Sequence, residues 1–272
     1  MIAWRWACHC LAMLMIAALA LCAQAQEPAR TEFAPTIGQP GKDVVWVPSP
    51  QVLIDKMLDM AKVAPEDYLI DLGSGDGRTV ISAAKRGARA LGIEYDPDMV
   101  ALSRRNAEMA GVSDQAAFVQ GDIFESDLSQ ATVITLFLLP ELNLKLRPAI
   151  LALRPGTRIA SNTFKMGEWQ PDETFAVGCV PYCTVHLWIV PARVDGRWKL
   201  AQGELRLKQE FQKVTGTLRT GRSTLPISDG GLRGEEINFA AGGSDYHGRV
   251  MGNAIEGTVN RGGRSRAWSV QR

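Results

Sequence analysis

The stretch YLIDLGSGDGR, residues 68–78, decides the fold of this chain. It begins as a short apolar run that ends in Asp71, and it then places glycine at positions 73, 75 and 77. Glycine adopts positive φ angles and lets a ligand approach the backbone closely. The pattern therefore predicts a buried strand that turns directly into a helix beside a bound ligand. Its D-x-G-x-G-x-G spacing differs from the G-x-G-x-x-G turn of dinucleotide-binding proteins.

Two later strands are also predicted to end in acidic residues. Glu94 lies in GIEYD (92–96), and Asp122 lies in GDIF (121–124). The carboxyl ends of parallel strands meet at one edge of a sheet. Carboxylates there can accept the hydroxyl groups of a ribose or the amino group of a base. We therefore expect Asp71, Glu94 and Asp122 to share one binding crevice.

Short apolar runs alternate with helical patterns along the first two thirds of the chain. Helices are predicted at 50–63, 78–86, 97–110 and 142–153, and strands at 68–71, 90–94, 117–120, 132–138 and 157–162. A hairpin at 175–180 and 184–190 supplies two more strands. This order predicts an α/β fold with a doubly wound, mostly parallel sheet of seven strands.

The composition changes near Pro191. Residues 192–272 hold 14 of the 26 glycines, and residues 204–208 alternate polar and apolar side chains. A small antiparallel β domain of unknown function is therefore expected there. Residues 26–192 carry 15 basic and 21 acidic side chains, whereas residues 193–272 carry 14 and 8, so we expect the two parts to attract each other.

The overall composition excludes several classes of protein. The chain is 46% hydrophobic with a formal charge of +1, so it is neither disordered nor a disulfide scaffold. Beyond residue 25 the charges cancel, and no global basic field favours nucleic acid or an anionic membrane. His186 and His247 are not spaced as metal ligands with cysteines or acids, so no metal site is expected.

The amino terminus has the features of an export signal. Arg5 precedes an apolar run at 7–21, and Ala23-Gln24-Ala25 matches a small-residue cleavage pattern. We expect residues 1–25 to be a signal peptide, residues 26–46 a linker, and the mature protein to be periplasmic without a membrane span. The alternatives are an uncleaved anchor and a lipid attached at Cys22.

Cys179 and Cys183 are the two cysteines beyond the predicted signal peptide. Along one straight strand they would be about 13 Å apart, too far for a disulfide. Across a tight turn they can bond, and an oxidising compartment favours the bond. The alternative is two unrelated small residues in a hairpin. We expect a disulfide.

Residues 47–191 resemble the class I S-adenosylmethionine-dependent methyltransferases. Within that class they are similar to the protein-lysine methyltransferases that act on the c protein of mitochondrial ATP synthase and on the adenine nucleotide translocase, and to their bacterial relatives. The segments that carry the resemblance are VPSP (47–50), DLGSGDGR (71–78), GIEYD (92–96), GDIF (121–124), LLPELN (138–143) and MGEW (166–169). They cover about half of the chain.

The resemblance implies S-adenosylmethionine as cofactor and a role for each matching position. Asp71, Gly73, Gly75 and Gly77 would hold the methionine part, Glu94 the ribose, and Asp122 with Ile123 the adenine. Pro48, Pro140 and Asn143 would line the methyl-transfer face. Trp169, with Trp46, would wall a lysine channel or would be core packing. Glu141 would accept a proton from the acceptor amine or would merely begin a helix.

These expectations favour an enzyme that transfers a methyl group to a protein lysine. One alternative is an exported protein that kept the fold and serves as a binding module through its β domain. Another is a methyltransferase for small molecules. The sequence makes no prediction of oligomeric state.

Overall fold

The computed structural model describes residues 33–179 and 181–272. The predicted signal peptide and its cleavage site lie outside the described residues, as does the first part of the predicted linker. In the described part of the chain, no helix is both long enough and apolar enough to cross a membrane.

The first sheet and its helices follow the predicted alternation. Its strands are β1 (Tyr68–Leu72), β2 (Arg89–Glu94), β3 (Ala116–Gln120), β4 (Val133–Leu136), β5 (Arg158–Asn162), β6 (Glu173–Ala176) and β7 (Thr184–Ile189). The helices described in this part are α1 (Gln51–Met60), α2 (Arg78–Ala84), α3 (Pro97–Met109) and α4 (Pro140–Leu151).

The strand order is β3-β2-β1-β4-β5-β7-β6, and the seven-stranded, mostly parallel sheet is as predicted. Strand β7 runs antiparallel to β5 and β6, while β1 to β5 are parallel. From β1 the chain builds the sheet outward in one direction, through β2 and β3, and then returns to the other side of β1 to add β4 and β5. Such a reversal leaves a crevice at the carboxyl ends of the strands, which is where ligands bind in open α/β sheets.

Local sequence explains where the helices begin. Asp96 caps α3, with its carboxylate accepting the Asp98 N–H at 2.8 Å, and Pro97 follows at the first helical position. Helix α4 begins at Pro140, two residues before the predicted start. Proline is tolerated at the first helical position, because the first turn does not need its N–H. The helix therefore includes Pro140, although the periodic apolar pattern begins only at Leu142.

The second sheet is antiparallel, which confirms the predicted β domain. Its strands are β8 (Gly196–Leu200), β9 (Gly203–Glu210), β10 (Lys213–Thr220), β11 (Ser223–Pro226), β12 (Ser228–Arg233), β13 (Glu236–Ala241), β14 (Ser244–Met251), β15 (Ala254–Arg261) and β16 (Arg264–Gln271). Strand β8 pairs with β16 and with β9, and β9 also pairs with β10 near the other end of the strand order. The sheet therefore closes on itself. Trp198, Leu205 and Ile255 are fully buried in its core.

Residues 35–272 form one compact unit, and a ring stack joins its two sheets. Phe211, in the turn between β9 and β10, stacks on Trp169 with the centroids 6.1 Å apart and the planes 11° from parallel. The Arg147 guanidinium lies 5.3 Å from the Phe211 centroid. Across the same boundary Arg233 and Glu173 form an exposed ion pair at 2.6 Å, which contributes little in water. Aromatic packing therefore contributes more to docking than the expected charge attraction.

We predict that Phe211→Ala lowers the free energy of unfolding by about 2 kcal/mol, because a half-buried ring loses its apolar contacts. Urea denaturation measures this change. Phe175→Ala, which truncates an exposed ring on β6, serves as the control and should change stability little. Equal stabilities for the two variants would contradict the role given to Phe211.

Candidate functional site

A cavity lies at the carboxyl ends of β1 to β4. The strand order predicts a ligand site at this position. The predicted residues that line it are Pro48, Asp71, Gly73, Gly75, Glu94, Asp122 and Ile123. The three acidic strand ends therefore meet in one crevice, as the sequence led us to expect.

Asp71 is the buried acid of this cavity. Its side chain is 6% exposed and accepts a hydrogen bond from the Thr135 hydroxyl at 2.6 Å. Burial, with the nearby charges of Glu94 and Asp76, raises the pKa of Asp71 to about 7. A cationic group bound beside it would favour the charged carboxylate and bring this pKa down again.

The Glu94 carboxylate is fixed by backbone groups on both sides of the crevice. One oxygen accepts the Gly75 N–H at 2.9 Å, and the other accepts the N–H groups of Tyr95 and Asp96 at 2.8 and 3.1 Å. The side chain thus joins the glycine turn to the end of β2. Its remaining lone pairs are available for ligand hydroxyls.

The three glycines of the turn have different reasons to be glycine. Gly75 has a φ of +55°, and a Cβ there would lie 2.7 Å from the Trp46 indole nitrogen at the cavity wall. Gly77 has a φ of +82°, and a Cβ there would clash with the ring of Phe118 and with the Cβ of Ser103. Gly77 does not line the cavity. The structure gives Gly77 a packing role at the start of α2, and its contact with the cofactor stays a prediction.

A strap at residues 38–46 covers the end of the cavity where Asp122 lies. It folds back on itself through a bridge between Pro40 and Val45. The Lys42 ammonium donates to the Asp122 carboxylate at 2.5 Å and lies 4.7 Å from the Tyr95 ring centroid. The hydrogen bond to Lys42 holds the pKa of the Asp122 carboxyl below its ordinary value. Residues of the predicted linker thus complete the site.

The charges around the cavity favour a cationic ligand. Its acidic lining residues outnumber its basic ones and comprise Asp43, Asp71, Asp76, Glu94, Asp96 and Asp122. The basic lining residues, Lys42 and Arg78, are each paired with one of these acids. A negative, partly enclosed cavity lowers the free energy of a bound cation.

Other predicted residues lie elsewhere. Pro140 and Glu141 are exposed in the first turn of α4 and do not line the cavity. Asn143 is fully buried, and its amide group donates to the carbonyl oxygens of Phe164 and Lys165 at 3.2 and 3.4 Å. Asn143 therefore supports the backbone of residues 164 and 165, Pro140 and Glu141 lie at the surface, and none of the three lines the cavity.

The prediction of Trp169 in a substrate channel is corrected. Trp169 is fully buried, with Trp188 on one side and Phe211 stacked on another. It belongs to the core that joins the two sheets. The alternative that the sequence left open, core packing, is the one the structure shows. Trp46, by contrast, does line the cavity.

Two cavity residues had no signal in the sequence. Lys42 is 80 positions from Asp122, and no spacing rule connects them. Phe137 follows β4 and lines the cavity. Its place after an apolar strand made it indistinguishable from a core residue.

The fold and the site define a class I methyltransferase. The chain matches the model of the ANTKMT methyltransferase domain over residues 71–173. It is 40% identical over 152 residues to the protein-lysine N-methyltransferase of Saccharolobus islandicus, covering 54% of this chain and 94% of that protein. It is 33% identical over 134 residues to the human lysine N-methyltransferase named for the c protein of ATP synthase, covering 49% of this chain and 57% of that protein. The chain therefore spans little more than half the length of the human relative.

A solved structure extends the comparison. An RNA methyltransferase from Salinibacter ruber, in complex with S-adenosyl-L-homocysteine, is 50% identical with a TM-score of 0.52, covering 54% of this chain and 96% of that one. With the archaeal match, this places the chain in the family of S-adenosylmethionine-dependent methyltransferases defined by the ANTKMT domain. The match to the family model ends at residue 173, before the β domain begins.

The residues present fit S-adenosylmethionine as the cofactor. The bare backbone at Gly73 and Gly75 leaves room that a Cβ would fill, and the acids suit a ligand with a sulfonium and an ammonium group. Asp71 would hold the ammonium group, Glu94 the ribose hydroxyls, and Asp122 with Ile123 the adenine. When bound, the cofactor supplies an activated methyl group.

We predict that cofactor binding weakens as the pH falls below about 7, because Asp71 must lose its proton to hold an ammonium group. The dissociation constant should rise up to about tenfold per pH unit. Calorimetric titration between pH 5.5 and 8.5 measures this. Asp71→Asn should bind weakly at every pH and lose the dependence.

The folding free energy of the free protein provides the control. A raised pKa means that ionising Asp71 destabilises the fold as pH rises through about 7, so Asp71→Asn should unfold at or above the wild-type temperature at pH 8.5. Asp67, at the other end of β1, is also buried, but hydrogen bonds from Arg158 and Thr132 outweigh that burial and lower its pKa. Asp67→Asn should therefore destabilise the fold and keep the pH dependence of binding. A wild-type dissociation constant that is flat across this range would contradict the assignment of Asp71.

Proposed function

We propose that this protein transfers a methyl group from S-adenosylmethionine to the side-chain amine of a protein lysine. The observation that carries the proposal is the 40% identity over 94% of the archaeal protein-lysine N-methyltransferase. The family model matches residues 71–173, and these include the cavity residues from Asp71 to Phe137. Lysine methyltransferases named for the ATP synthase c protein and for the adenine nucleotide translocase are each 33% identical to this chain over the matched residues.

The chemistry requires a neutral amine, and the structure offers a way to favour one. A free lysine has a pKa of about 10.4 and is charged at neutral pH. Phe137, Leu138 and Leu142 give the cavity an apolar side, and burial against apolar groups lowers the pKa of an amine. Glu141 stays a candidate for taking the proton, since it is exposed beside Leu142 in the first turn of α4.

Export of the mature protein is part of this proposal. The predicted signal pattern supports it, and so does the disulfide that joins Cys179 and Cys183. That bond confirms the pairing expected from the sequence, and disulfides persist mainly in oxidising compartments. The acceptor is then a protein of the same compartment.

RNA is the second candidate acceptor, because the Salinibacter protein that is 50% identical is described as an RNA methyltransferase. The charge of the methyltransferase domain argues against RNA here. Residues 26–192 carry 15 basic and 21 acidic side chains, whereas RNA binding draws on basic surface. The lining of the cavity is also mainly acidic, so it would repel the phosphates of RNA.

One labelling experiment tests acceptor class and compartment together. The purified protein is incubated with methyl-labelled S-adenosylmethionine and with separate periplasmic and cytoplasmic fractions of cells that lack the gene. We expect label in a periplasmic protein, removed by protease, with the added mass of one or more methyl groups on a lysine. Asp71→Asn serves as the inactive control.

The other outcomes contradict the proposal. Label that nuclease removes would identify RNA as the acceptor, and label in dialysable material would identify a small molecule. Binding of cofactor without transfer to any fraction would favour a binding module. Label confined to cytoplasmic protein would contradict export, and it would agree with a lysine acceptor.

A further inference from the structure

Three aromatic rings form a cluster that leads outward from the cofactor cavity. We call Phe137, Phe164 and Tyr182 the aromatic cluster. The ring centroids are 6.2 Å apart for Phe137 and Phe164, 5.6 Å for Phe137 and Tyr182, and 6.1 Å for Phe164 and Tyr182. Phe137 lines the cavity, and Tyr182 is 43% exposed. The cluster therefore connects the cavity with solvent.

The backbone beneath two of these rings is held in an uncommon conformation. Thr163, immediately before Phe164, has a φ of +63°, and Tyr182 itself has a φ of +62°. Left-handed conformations are unfavourable for β-branched and bulky residues, and they persist only where the surroundings enforce them. Such positions cluster at binding sites.

Hydrogen bonds enforce the conformation at Thr163 and Phe164. The Thr163 N–H donates to the Thr184 carbonyl at 2.6 Å. The Phe164 carbonyl accepts from the Ser161 hydroxyl at 2.7 Å and from the buried Asn143 amide at 3.2 Å. Asn143, whose segment resembles the family pattern, thus fixes one ring of the aromatic cluster.

The disulfide fixes another ring. Cys179 and Cys183 are bonded with their Cα atoms 5.4 Å apart, and Tyr182 lies inside the small loop that this bond closes. Reduction of the bond would free the loop ends and release the left-handed Tyr182 from its constraint. The ring would then be free to leave Phe137 and Phe164.

We propose that the aromatic cluster is the entrance through which the acceptor ammonium reaches the cofactor, and that the disulfide holds Tyr182 in this entrance. The inference rests on the proposed lysine acceptor and names the residues that recognise it. Aromatic faces attract an ammonium or a methylated ammonium within about 6 Å of the ring centre. The three ring centroids lie 5.6–6.2 Å apart, so a cation bound on one ring lies near the next. Acceptor affinity then depends on the disulfide, whereas cofactor affinity does not.

The experiment measures cation binding apart from methyl transfer. The probe is the amide of Nα-acetyl-Nε-trimethyllysine, whose charge is permanent, and the comparison compound is its neutral tert-butyl analogue. Binding to the full protein saturated with S-adenosylhomocysteine is followed by ligand-observed NMR. We expect the cation to bind more tightly than the neutral analogue, and Tyr182→Ala to weaken the cation about tenfold.

Three matched comparisons separate this role from a structural one. Tyr182→Phe keeps the ring and should keep the affinity. Phe175→Ala removes an exposed ring from the neighbouring strand β6 and should also keep it. Reduction of the wild type, and the double variant Cys179→Ser with Cys183→Ser, should weaken the probe as Tyr182→Ala does. S-adenosylhomocysteine should bind all of these forms equally, which shows that the cavity is intact.

The outcomes separate this proposal from the proposed function. Equal probe affinity in Tyr182→Ala and wild type overturns the entrance, even where the wild type methylates a protein lysine. The probe can prefer Tyr182 in the binding experiment while the labelling experiment finds methyl groups on RNA. That combination overturns the lysine acceptor and leaves the aromatic cluster as a site for a cation. Unchanged affinity after reduction overturns the role of the disulfide alone.

Discussion

The hydrogen bonds to the Glu94 carboxylate hold the active-site crevice together. They join the glycine turn after β1 to the end of β2, so two strand ends keep a fixed separation. Asp71 lies buried on one side of this connection, and Asp122 lies at the end of the next strand. The crevice exists because parallel strands bring these three acids to one edge. A cationic cofactor suits the resulting negative cavity.

The local parts of this site could be predicted from the sequence. Strand ends, the glycine turn and the acids follow from short patterns, because their geometry depends on neighbours in the chain. The same holds for the class of the sheet, doubly wound and mostly parallel with seven strands, since the alternation of strand and helix limits the topologies available. The disulfide was also predicted, because a tight turn between its two cysteines can bring them together and the export pattern indicates an oxidising compartment.

The distant contacts could not be predicted. For Trp169 the sequence left two readings open, the wall of a channel and core packing. Its surroundings come from Trp188 and Phe211, which lie 19 and 42 positions later in the sequence. The closure of the second sheet likewise joins β16 to β8, more than 60 positions apart. Side chains that meet across such separations leave no periodic signal.

Two parts of the structure around the cavity come from outside the recognised motifs. The strap at 38–46 lies over one end of the cavity through Lys42 and Asp122. The disulfide hairpin brings Tyr182 against Phe137, and this is where we propose that the acceptor enters. Loops on a rigid sheet commonly carry the specificity of such folds. The β domain contributes stability to the same unit through Phe211.

We expect Glu94 to hold the cofactor where the acidic strand ends meet. Calorimetric titration of Glu94→Ala with S-adenosylmethionine tests this role, with Glu66→Ala, an exposed acid before β1, as the matched control. Glu94→Ala should weaken binding by roughly 1.5–3 kcal/mol, the range for hydrogen bonds to a charged group, while Glu66→Ala should bind as the wild type does. An unchanged dissociation constant in a folded Glu94→Ala protein would contradict it.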